Sequence, residues 1–496
     1  MSARPPLLIR ADASTAIGTG HIMRTLALAQ EWRRGGGDVI FAVAMLPETL
    51  RARIQIEKCR IVEITAERGS AEDAAQTCGA AAGLIVADGY AFDGTYQDAL
   101  RAGGARVLLL DDYGHAQRYS ADFVLNQNAG AEAALYEKRR AETELLLGPR
   151  YALLRREFIE FGPPPRASAP ARKLLVTIGG SDPANVTRKV LDALEFLDAD
   201  LQTRVIAGAA NPHLDELRGT VQRFGDRVEI LASVADMPAQ MAWADCAVSA
   251  AGGTCWELLF MGLPAALLTV IDNQRGIARA LAAAGAALDL GWHTDAGPRR
   301  IADGLRGLLA APERLADMSR RGRDIVDGEG AARVAMRLEG SRVRVRRAGP
   351  QDAERLWHWA NDPDVRARAF STAPIPWADH IAWFGRKSVS PDSLLLVGID
   401  ADDLPVGQVR FDSDAEGIAT IDISVDRSRR GEGFGLELFG AALRVACVSG
   451  IHTARALVKP DNAPSLHLFA AAGFENAGGR DAVEFRLALP TRDPAP

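Results

Sequence analysis

The 496-residue chain contains only five cysteines, and no two of them form a C-x-x-C pair. Zinc knuckles and disulfide frameworks need closer sets, so we expect neither, and we expect a reducing compartment. No run approaches the roughly 18 apolar residues of a membrane span. Three apolar residues separate the N-terminal prolines from Arg10, too few for a signal peptide. We therefore expect a cytoplasmic protein with neither a metal centre nor a membrane partner.

A strong excess of charge is also missing. The formal net charge is −6, which gives no electrostatic argument for a nucleic-acid partner. Hydrophobic residues make up 48% of the chain and charged residues 25%, as in ordinary soluble enzymes. One core rarely serves a chain of this length, so we expect about two to four domains.

Residues 1–161 alternate short apolar runs with periodic stretches, which is typical of a parallel sheet covered by helices on both faces. The runs predict strands at Leu7–Ala11, Val39–Ala44, Leu84–Asp88, Val107–Asp111 and Phe123–Asn126, and the periodic stretches predict helices at His21–Arg34 and Pro47–Glu57. Several strands end in polar residues, among them Asp88, Asp111, Asp112 and Asn126. Ligands bind at the carboxyl ends of such strands, so these side chains should face a crevice.

Residues 162–172 form a proline-rich linker, with four prolines between Gly162 and Pro170. The α/β alternation then restarts and continues over residues 173–340. Two such lobes joined by a stiff linker predict an enzyme with its site in the cleft between them. From residue 341 to residue 496 the pattern changes to alternating strands and fewer helices, which predicts a separate α+β domain.

His21 is the first candidate for catalysis. It follows a loop that contains Gly18 and Gly20, and it lies in the first turn of the predicted helix. The positive end of the helix dipole disfavours a charged imidazolium there, and a neutral imidazole can act as a general base. A histidine that only packs or caps the helix is the alternative.

The turn Ser249–Glu257 is a candidate anion site, because Gly252 and Gly253 stand between a predicted strand and a predicted helix. Thr254 and Glu257 lie on one helix face, where Glu257 could accept hydrogen bonds from ribose hydroxyls. Thr-x-x-Glu is also a capping box, which is an equally good structural explanation.

Two further loops of this lobe follow strands. Gly179-Gly180-Ser181-Asp182 favours a phosphate or substrate loop, although Asp182 could be an N-cap with Pro183 at the first helical position. Asp272-Asn273-Gln274 supplies either N-caps or ligand contacts.

Four motifs together, Gly18-x-Gly20-His21-x-Met23-Arg24 and the three segments above, resemble the UDP-sugar hydrolases of pseudaminic acid biosynthesis, relatives of the GT-B glycosyltransferases. The resemblance covers about residues 7–338. It implies two Rossmann-like lobes, His21 as the base that activates water, and release of UDP from UDP-2,4-diacetamido-2,4,6-trideoxy-β-L-altropyranose without a metal. The implied substrate-binding residues are Asp12, Gly20, Arg24, Tyr90, Gly180, Ser181, Gly252, Gly253, Thr254, Glu257, Asn273 and Gln274. Asp12 could instead only brace its loop.

The third block carries Arg430-x-x-Gly433-x-Gly435 between a strand and a helix, followed by Asn462-x-x-Ser465. Together these resemble the GNAT acetyltransferases over about residues 342–489. The resemblance implies acetyl-CoA as cosubstrate, bound by Ile423, Val425, Arg429, Arg430, Gly431, Gly433, Gly435, Asn462 and Ser465. The preceding segment resembles members that acetylate the 4-amino group of UDP-amino sugars, which implies acceptor contacts from Asn361 and Arg366. Phe469 stands where many GNATs have a tyrosine acid.

These resemblances lead to the hypothesis of a bifunctional enzyme that acts on UDP-amino sugars. A GT-B glycosyltransferase fused to an acetyltransferase is a second hypothesis. A nucleotide-sugar-binding module that regulates the acetyltransferase is a third. The sequence makes no prediction of oligomeric state.

Overall fold

The computed structural model describes residues 4–14, 17–80, 83–166, 170–180, 182–198, 200–208, 211–232 and 234–490. The described chain folds into two compact units. The larger unit contains residues 6–31 and 39–334, and the smaller unit contains residues 4–5, 32–38 and 335–490.

The first lobe of the larger unit is built on a seven-stranded parallel sheet. Its strands are β1 (Leu7–Ala11), β2 (Val39–Val43), β3 (Arg60–Glu63), β4 (Leu84–Asp88), β5 (Arg106–Leu110), β6 (Phe123–Asn126) and β7 (Glu144–Leu147). The helices are α1 (Gly20–Arg34), α2 (Glu48–Ile56), α3 (Ala71–Ala80), α4 (Gly94–Ala102) and α5 (Arg156–Phe161). The strand order 3-2-1-4-5-6-7 reverses between β1 and β4, where α/β folds place their ligand crevice.

Burial on both faces explains why these strands are continuously apolar. Leu8, Ile85 and Val107 pack into the core on one side of the sheet. Leu7 and Val86 alternate with them along their strands, so they face the other side, and they are equally buried. The predicted strands are confirmed to within one residue at their ends.

The second lobe repeats this architecture with a six-stranded parallel sheet of order 10-9-8-11-12-13. Its strands are β8 (Lys173–Thr177), β9 (Gln202–Ala207), β10 (Val228–Ala232), β11 (Cys246–Ala250), β12 (Ala265–Thr269) and β13 (Ala287–Trp292). The helices are α6 (Val186–Leu194), α7 (Leu214–Val221), α8 (Met237–Trp243), α9 (Thr254–Phe260), α10 (Arg275–Ala283), α11 (Pro298–Leu309), α12 (Pro312–Ile325) and α13 (Gly330–Glu339). Here the order reverses between β8 and β11.

The linker is attached to the second lobe through Arg166. Its guanidinium donates to the carbonyls of Met241, Ala244 and Met261, which lie at the C-terminal ends of α8 and α9. Burial, with a smaller contribution from Arg323, lowers the pKa of Arg166 to about 10. A charged group that binds helix C-terminal carbonyls holds this part of the linker in place.

The smaller unit contains a mixed seven-stranded sheet of order 14-15-16-17-18-20-19. Its strands are β14 (Arg344–Arg347), β15 (Ser393–Ile399), β16 (Pro405–Ser413), β17 (Ile418–Val425), β18 (Thr453–Val458), β19 (Glu475–Gly478) and β20 (Val483–Ala488). The helices are α14 (Ala353–Ala360), α15 (Pro363–Arg368), α16 (Trp377–Val389), α17 (Phe434–Val448) and α18 (Ala463–Ala471). The two Rossmann-like lobes and the following α+β domain confirm the predicted fold class.

Two strands of this sheet separate part-way along their length. The parallel pairing of β17 with β18 joins Ile418–Thr420 to Thr453–Arg455. Beyond Thr420, no pairing with β18 is found for β17 within the described residues. The backbone of Ile423–Val425 is therefore open toward the β18 side.

No helix in the described ranges has both the length and the apolar character needed to cross a membrane.

Candidate active sites

His21 lies at the point where the strand order of the first sheet reverses. The loop after β1 turns at Gly18, whose φ of +82° falls in the left-handed region that favours glycine. Helix α1 then begins at Gly20, which places His21 in its first turn with 8% exposure. The His21 Nδ1 atom lies 2.6 Å from Oδ1 of Asp88, the last residue of the neighbouring strand β4.

Asp88 sets the tautomer of His21. Burial alone would raise the pKa of Asp88, but the charges and hydrogen bonds of Arg24 and His21 hold it far below its usual value. A carboxylate can only accept hydrogen bonds, so the proton of the neutral imidazole is assigned to Nδ1. The lone pair is then on Nε2, the atom that can accept a proton from water.

Arg24 connects this pair to a second carboxylate. Its Nε and Nη2 atoms donate to the two Asp88 oxygens, each at a distance of 2.7 Å, and Nη1 donates to Asp112 at 2.7 Å. Asp112 also accepts hydrogen bonds from Tyr90 and Asn128. The bonds of Arg24 orient the two carboxylates, and its predicted contact with substrate stays a prediction.

Asp12 braces its loop, and its predicted contact with substrate stays a prediction. Its Oδ1 accepts from the backbone amides of Ala44 and Met45, and its Oδ2 lies 2.8 Å from Arg10 Nη1. Arg10 is fully buried and also binds Asp73 with two hydrogen bonds. This network fixes the start of the loop that leads to His21.

Tyr90 stands where the two lobes approach each other. Its ring packs against the edge of the His21 ring, with centroids 5.2 Å apart, and its hydroxyl donates to Asp112 over 2.8 Å. Asn273 of the second lobe lies with its Nδ2 atom 3.4 Å from the same hydroxyl. Tyr90, which the family resemblance implies, thus lies between His21 and Asn273, which belong to separate motifs.

The glycine loop after β8 faces the His21 loop. Gly179 has a φ of +106°, and a Cβ atom on Gly180 would lie 3.5 Å from Thr19 Oγ1. Ser181 lies outside the described residues. The structural alternative for this loop, with Pro183 at the first helical position, is wrong, because α6 begins at Val186. The N-cap residue of α6 is Asn185, but the Asp182 side chain, from a residue with a φ of +37°, still accepts hydrogen bonds from the amides of Val186 and Thr187 in the first turn.

The turn after β11 carries the other predicted nucleotide residues. Gly252 and Gly253 precede α9, which begins at Thr254, and neither glycine has a positive φ. A Cβ atom on Gly252 would lie 3.4 Å from Gln274 Nε2, so the two predicted loops are adjacent. The Oε1 atom of Gln274 accepts from the Val270 amide and supports the loop.

Glu257 does not close a capping box. The N-terminus of α9 has no side-chain cap, and Glu257 Oε1 instead accepts a hydrogen bond of 2.8 Å from Arg155. The structural explanation of Thr-x-x-Glu is therefore wrong, since the carboxylate points to an arginine and not to the backbone of its own helix. Its role toward ribose remains a prediction.

The smaller unit has a turn suited to a diphosphate. Gly431 and Gly433 have φ values of +84° and +85°, so both need glycine, and Gly433 precedes α17. The two arginines are paired with carboxylates: Arg429 with Asp400, and Arg430 with Asp362 and Asp364. Backbone amides of a glycine turn between a strand and a helix can bind an anion, so the predicted role of this turn toward acetyl-CoA stays a prediction.

The remaining predicted residues of this unit have structural bonds. Asn462 caps α18 by accepting from the Ser465 amide, and the Asn361 side chain exchanges two hydrogen bonds with the backbone of Ile375. Arg366 donates to the Ser371 carbonyl. Gly435 lies beside Val425, since a Cβ atom there would be 3.5 Å from Val425 Cγ2.

Phe469 belongs to the core of this unit. It is 3% exposed, and its ring contacts the rings of Phe439, Phe474 and Phe485. An apolar ring in an apolar cluster has no proton to donate.

Comparison with known proteins finds two domain families in the chain. Residues 174–334 match the glycosyltransferase family 28 C-terminal domain, and residues 342–475 match the acetyltransferase (GNAT) domain. The chain joins a GT-B-like region to a GNAT domain.

Three relatives illustrate the range of matches. An uncharacterised protein of Methanocaldococcus jannaschii is 22% identical over 79% of this chain and 80% of its own length. The UDP-2,4-diacetamido-2,4,6-trideoxy-β-L-altropyranose hydrolase of Campylobacter jejuni is 26% identical over 43% of this chain and 73% of its own length. A UDP-N-acetylglucosamine–N-acetylmuramyl-(pentapeptide) pyrophosphoryl-undecaprenol N-acetylglucosamine transferase of Rhodopseudomonas palustris is 32% identical over 38% of this chain and 52% of its own length.

Several polar residues of the GT-B-like region were not assigned to the site from the sequence. Asp88 and Asp112 were expected only to face the crevice, and their bonds to His21, Arg24 and Tyr90 depend on side-chain geometry. Arg155 gave no signal, because it follows no motif. Across the described ranges, no group of three or more His, Cys, Asp and Glu side chains is arranged to hold a metal ion.

Proposed function

We propose that the chain is a bifunctional enzyme of pseudaminic acid biosynthesis. Its GT-B-like region hydrolyses UDP-2,4-diacetamido-2,4,6-trideoxy-β-L-altropyranose to the free sugar and UDP. The observation that carries this proposal is the pair of His21 and Asp88, joined over 2.6 Å at the crevice of the first lobe and opposite the glycine loop of the second. The relative from Campylobacter jejuni supports the same substrate.

The hydrolysis begins with a water molecule held against Nε2 of His21. The water oxygen forms a bond to the anomeric carbon while the bond from that carbon to the UDP oxygen breaks. The water proton passes to Nε2, and the carboxylate of Asp88 stabilises the imidazolium that forms. Solvent later takes the proton, and the sugar leaves with a new hydroxyl.

The second lobe contributes by holding the leaving group. Gly180 and Gly253 present backbone amides to the diphosphate, whereas the Gly252 amide donates to the Ala250 carbonyl and keeps the turn tight. Glu257 accepts hydrogen bonds from the ribose. UDP is a good leaving group when hydrogen bonds stabilise the charge of its diphosphate. The hydrolysis then needs only an oriented water molecule and a base.

The GNAT domain N-acetylates the 4-amino group of the precursor UDP-amino sugar with acetyl-CoA. The open backbone of Ile423–Val425 is suited to pairing with the pantetheine chain, and the turn at Gly431 and Gly433 is suited to the pyrophosphate. The amine nitrogen bonds to the acetyl carbon, the bond to sulfur breaks, and the amine loses a proton. Since Phe469 cannot protonate the thiolate, water or another group does so.

The two activities are consecutive, because acetylation of the 4-amino group makes the substrate of the hydrolase. The experiment is mass spectrometry of the products that the intact chain forms from the UDP-4-amino sugar and acetyl-CoA. We expect free diacetamido sugar, UDP and CoA. The His21→Ala variant should stop at the acetylated UDP-sugar. Equal UDP release by this variant would contradict the role of His21, and no CoA release would contradict the acetyl transfer.

A glycosyltransferase is the second candidate, and the match to the N-acetylglucosamine transferase favours it. Such an enzyme would release UDP only when an acceptor is added. UDP release in the absence of any acceptor separates the two candidates.

A further inference from the structure

Arg155 occupies a position that the proposed chemistry does not yet use. It precedes α5, after the last strand of the first lobe, and its side chain is 8% exposed. The guanidinium lies between two carboxylates: Nη1 donates to Glu157 over 2.7 Å, and Nη2 donates to Glu257 over 2.8 Å. Burial alone would lower the pKa of Arg155, but Glu257 and Glu157 raise it, so the group is charged.

One side of this arrangement is attached to the first lobe. Glu157 also binds Arg53, and it lies 3.4 Å from the Nε2 atom of Gln30. Gln30 is buried in α1, the helix whose first turn carries His21, and it accepts a hydrogen bond from the Arg156 amide. Arg155 is therefore held from the side of the lobe that contains the proposed base.

On its other side, Arg155 contacts Glu257 of the second lobe. Arg155 uses Oε1 of Glu257, and the side chain of Glu257 remains 18% exposed. A carboxylate offers about four lone-pair sites, so Oε2 is left to accept hydrogen bonds from neighbouring hydroxyls. A glutamate fixed in one rotamer loses less conformational entropy on binding than a free one. The positive charge also reduces the repulsion between Glu257 and a diphosphate.

We propose that Arg155 is a positioning residue for nucleotide specificity: it holds Glu257 so that Oε2 receives the ribose hydroxyls, which selects ribonucleotides over 2′-deoxyribonucleotides. This inference rests on the proposed role of Glu257 in UDP binding. It assigns the discrimination to a residue of the first lobe that acts through Glu257.

The test compares the binding of UDP and 2′-deoxy-UDP to the full-length chain by titration calorimetry. The wild-type protein should prefer UDP by about ten- to a hundredfold, since a charge-assisted hydrogen bond is lost with the hydroxyl. Arg155→Met should weaken UDP binding and remove most of this preference. Arg156→Met is the matched control, because Arg156 is the adjacent arginine and pairs with Glu57 and Glu160. It should keep the full preference.

Two further variants separate positioning from general damage. In a Glu257→Gln background, Arg155→Met should change the preference no further, because the group that Arg155 positions has lost its charge. Arg155→Lys keeps the charge but lacks the planar fork that binds two carboxylates, so its preference should be intermediate. It also serves as the test protein if Arg155→Met does not fold.

The possible outcomes are distinct. An unchanged preference in Arg155→Met, or in Arg155→Lys if that variant must replace it, overturns the inference. Equal binding of the two nucleotides by the wild-type chain also overturns it, because Glu257 then reads no ribose hydroxyl. No binding of UDP by the wild-type chain contradicts the proposed function itself.

Discussion

Replacing Asp88 by asparagine tests how much of the hydrolysis depends on the carboxylate beside His21. The variant keeps the size of the side chain and removes its charge. With Nδ1 and Oδ1 2.6 Å apart, the centres of the imidazolium and the carboxylate lie about 4 Å from each other, an attraction of about 4 kcal/mol at an effective dielectric of about 20. Arg24 already offsets part of the Asp88 charge, so we expect a loss of about 2 to 4 kcal/mol, or about 30- to 1,000-fold in kcat.

The assay is UDP release from the diacetamido UDP-sugar under saturating conditions. The Kd for UDP should stay within about twofold, because Asp88 belongs to the first lobe and the proposed nucleotide contacts to the second. Asp122→Asn is the control: this carboxylate belongs to the same lobe and binds Arg101 and the Val107 amide. Added to His21→Ala, Asp88→Asn should cost little more. A kcat within threefold of the wild-type value would contradict the role of the Asp88 charge.

Three further predictions concern stability and the GNAT domain. Burial alone would raise the pKa of Asp111, but bonds from His115, Tyr119 and the Tyr113 amide lower it to about 2. About 2 kcal/mol of stability is therefore present above pH 4 and is lost as the pH falls toward 2. Asp111→Asn should remove this loss, so that the thermal-unfolding midpoint changes less between about pH 4 and pH 2. Gly433→Ala, which forces a side chain onto a φ of +85°, should weaken acetyl-CoA binding at least tenfold while UDP release from the diacetamido UDP-sugar stays unchanged. Asp364→Asn frees Arg430 from one partly exposed carboxylate and should lower the KM for acetyl-CoA by up to about fivefold, as initial rates would show.

Much of the fold can be predicted from local sequence patterns, without knowing which residues they contact. Continuous apolar runs mark strands buried on both faces, and β4 and β6 have the bounds that the runs predict. Helix starts were harder where backbone conformation decides them. Asp182 adopts a positive φ that no sequence pattern indicates, so α6 begins three residues later than the proline suggested.

The site also has a part that the sequence predicts and a part that it does not. His21 and Asn273 belong to motifs, Tyr90 is a residue that the family resemblance implies, and the structure brings the three together. The ion pairs were not found, because they join residues far apart in sequence. Arg155 and Glu257 illustrate this: Arg155 belongs to no motif, the motif that contains Glu257 indicates no partner, and only the folded chain brings their side chains within 2.8 Å.

In the proposed hydrolysis, water held by His21 attacks the anomeric carbon with no acceptor present. The most direct test is hydrolysis of the diacetamido UDP-sugar in water enriched in oxygen-18, with mass analysis of the released UDP. We expect UDP to be released without an acceptor and to carry no oxygen-18, because the bond that breaks joins the anomeric carbon to the UDP oxygen. UDP that carries one oxygen-18 atom, or no UDP release until an acceptor is added, would contradict it.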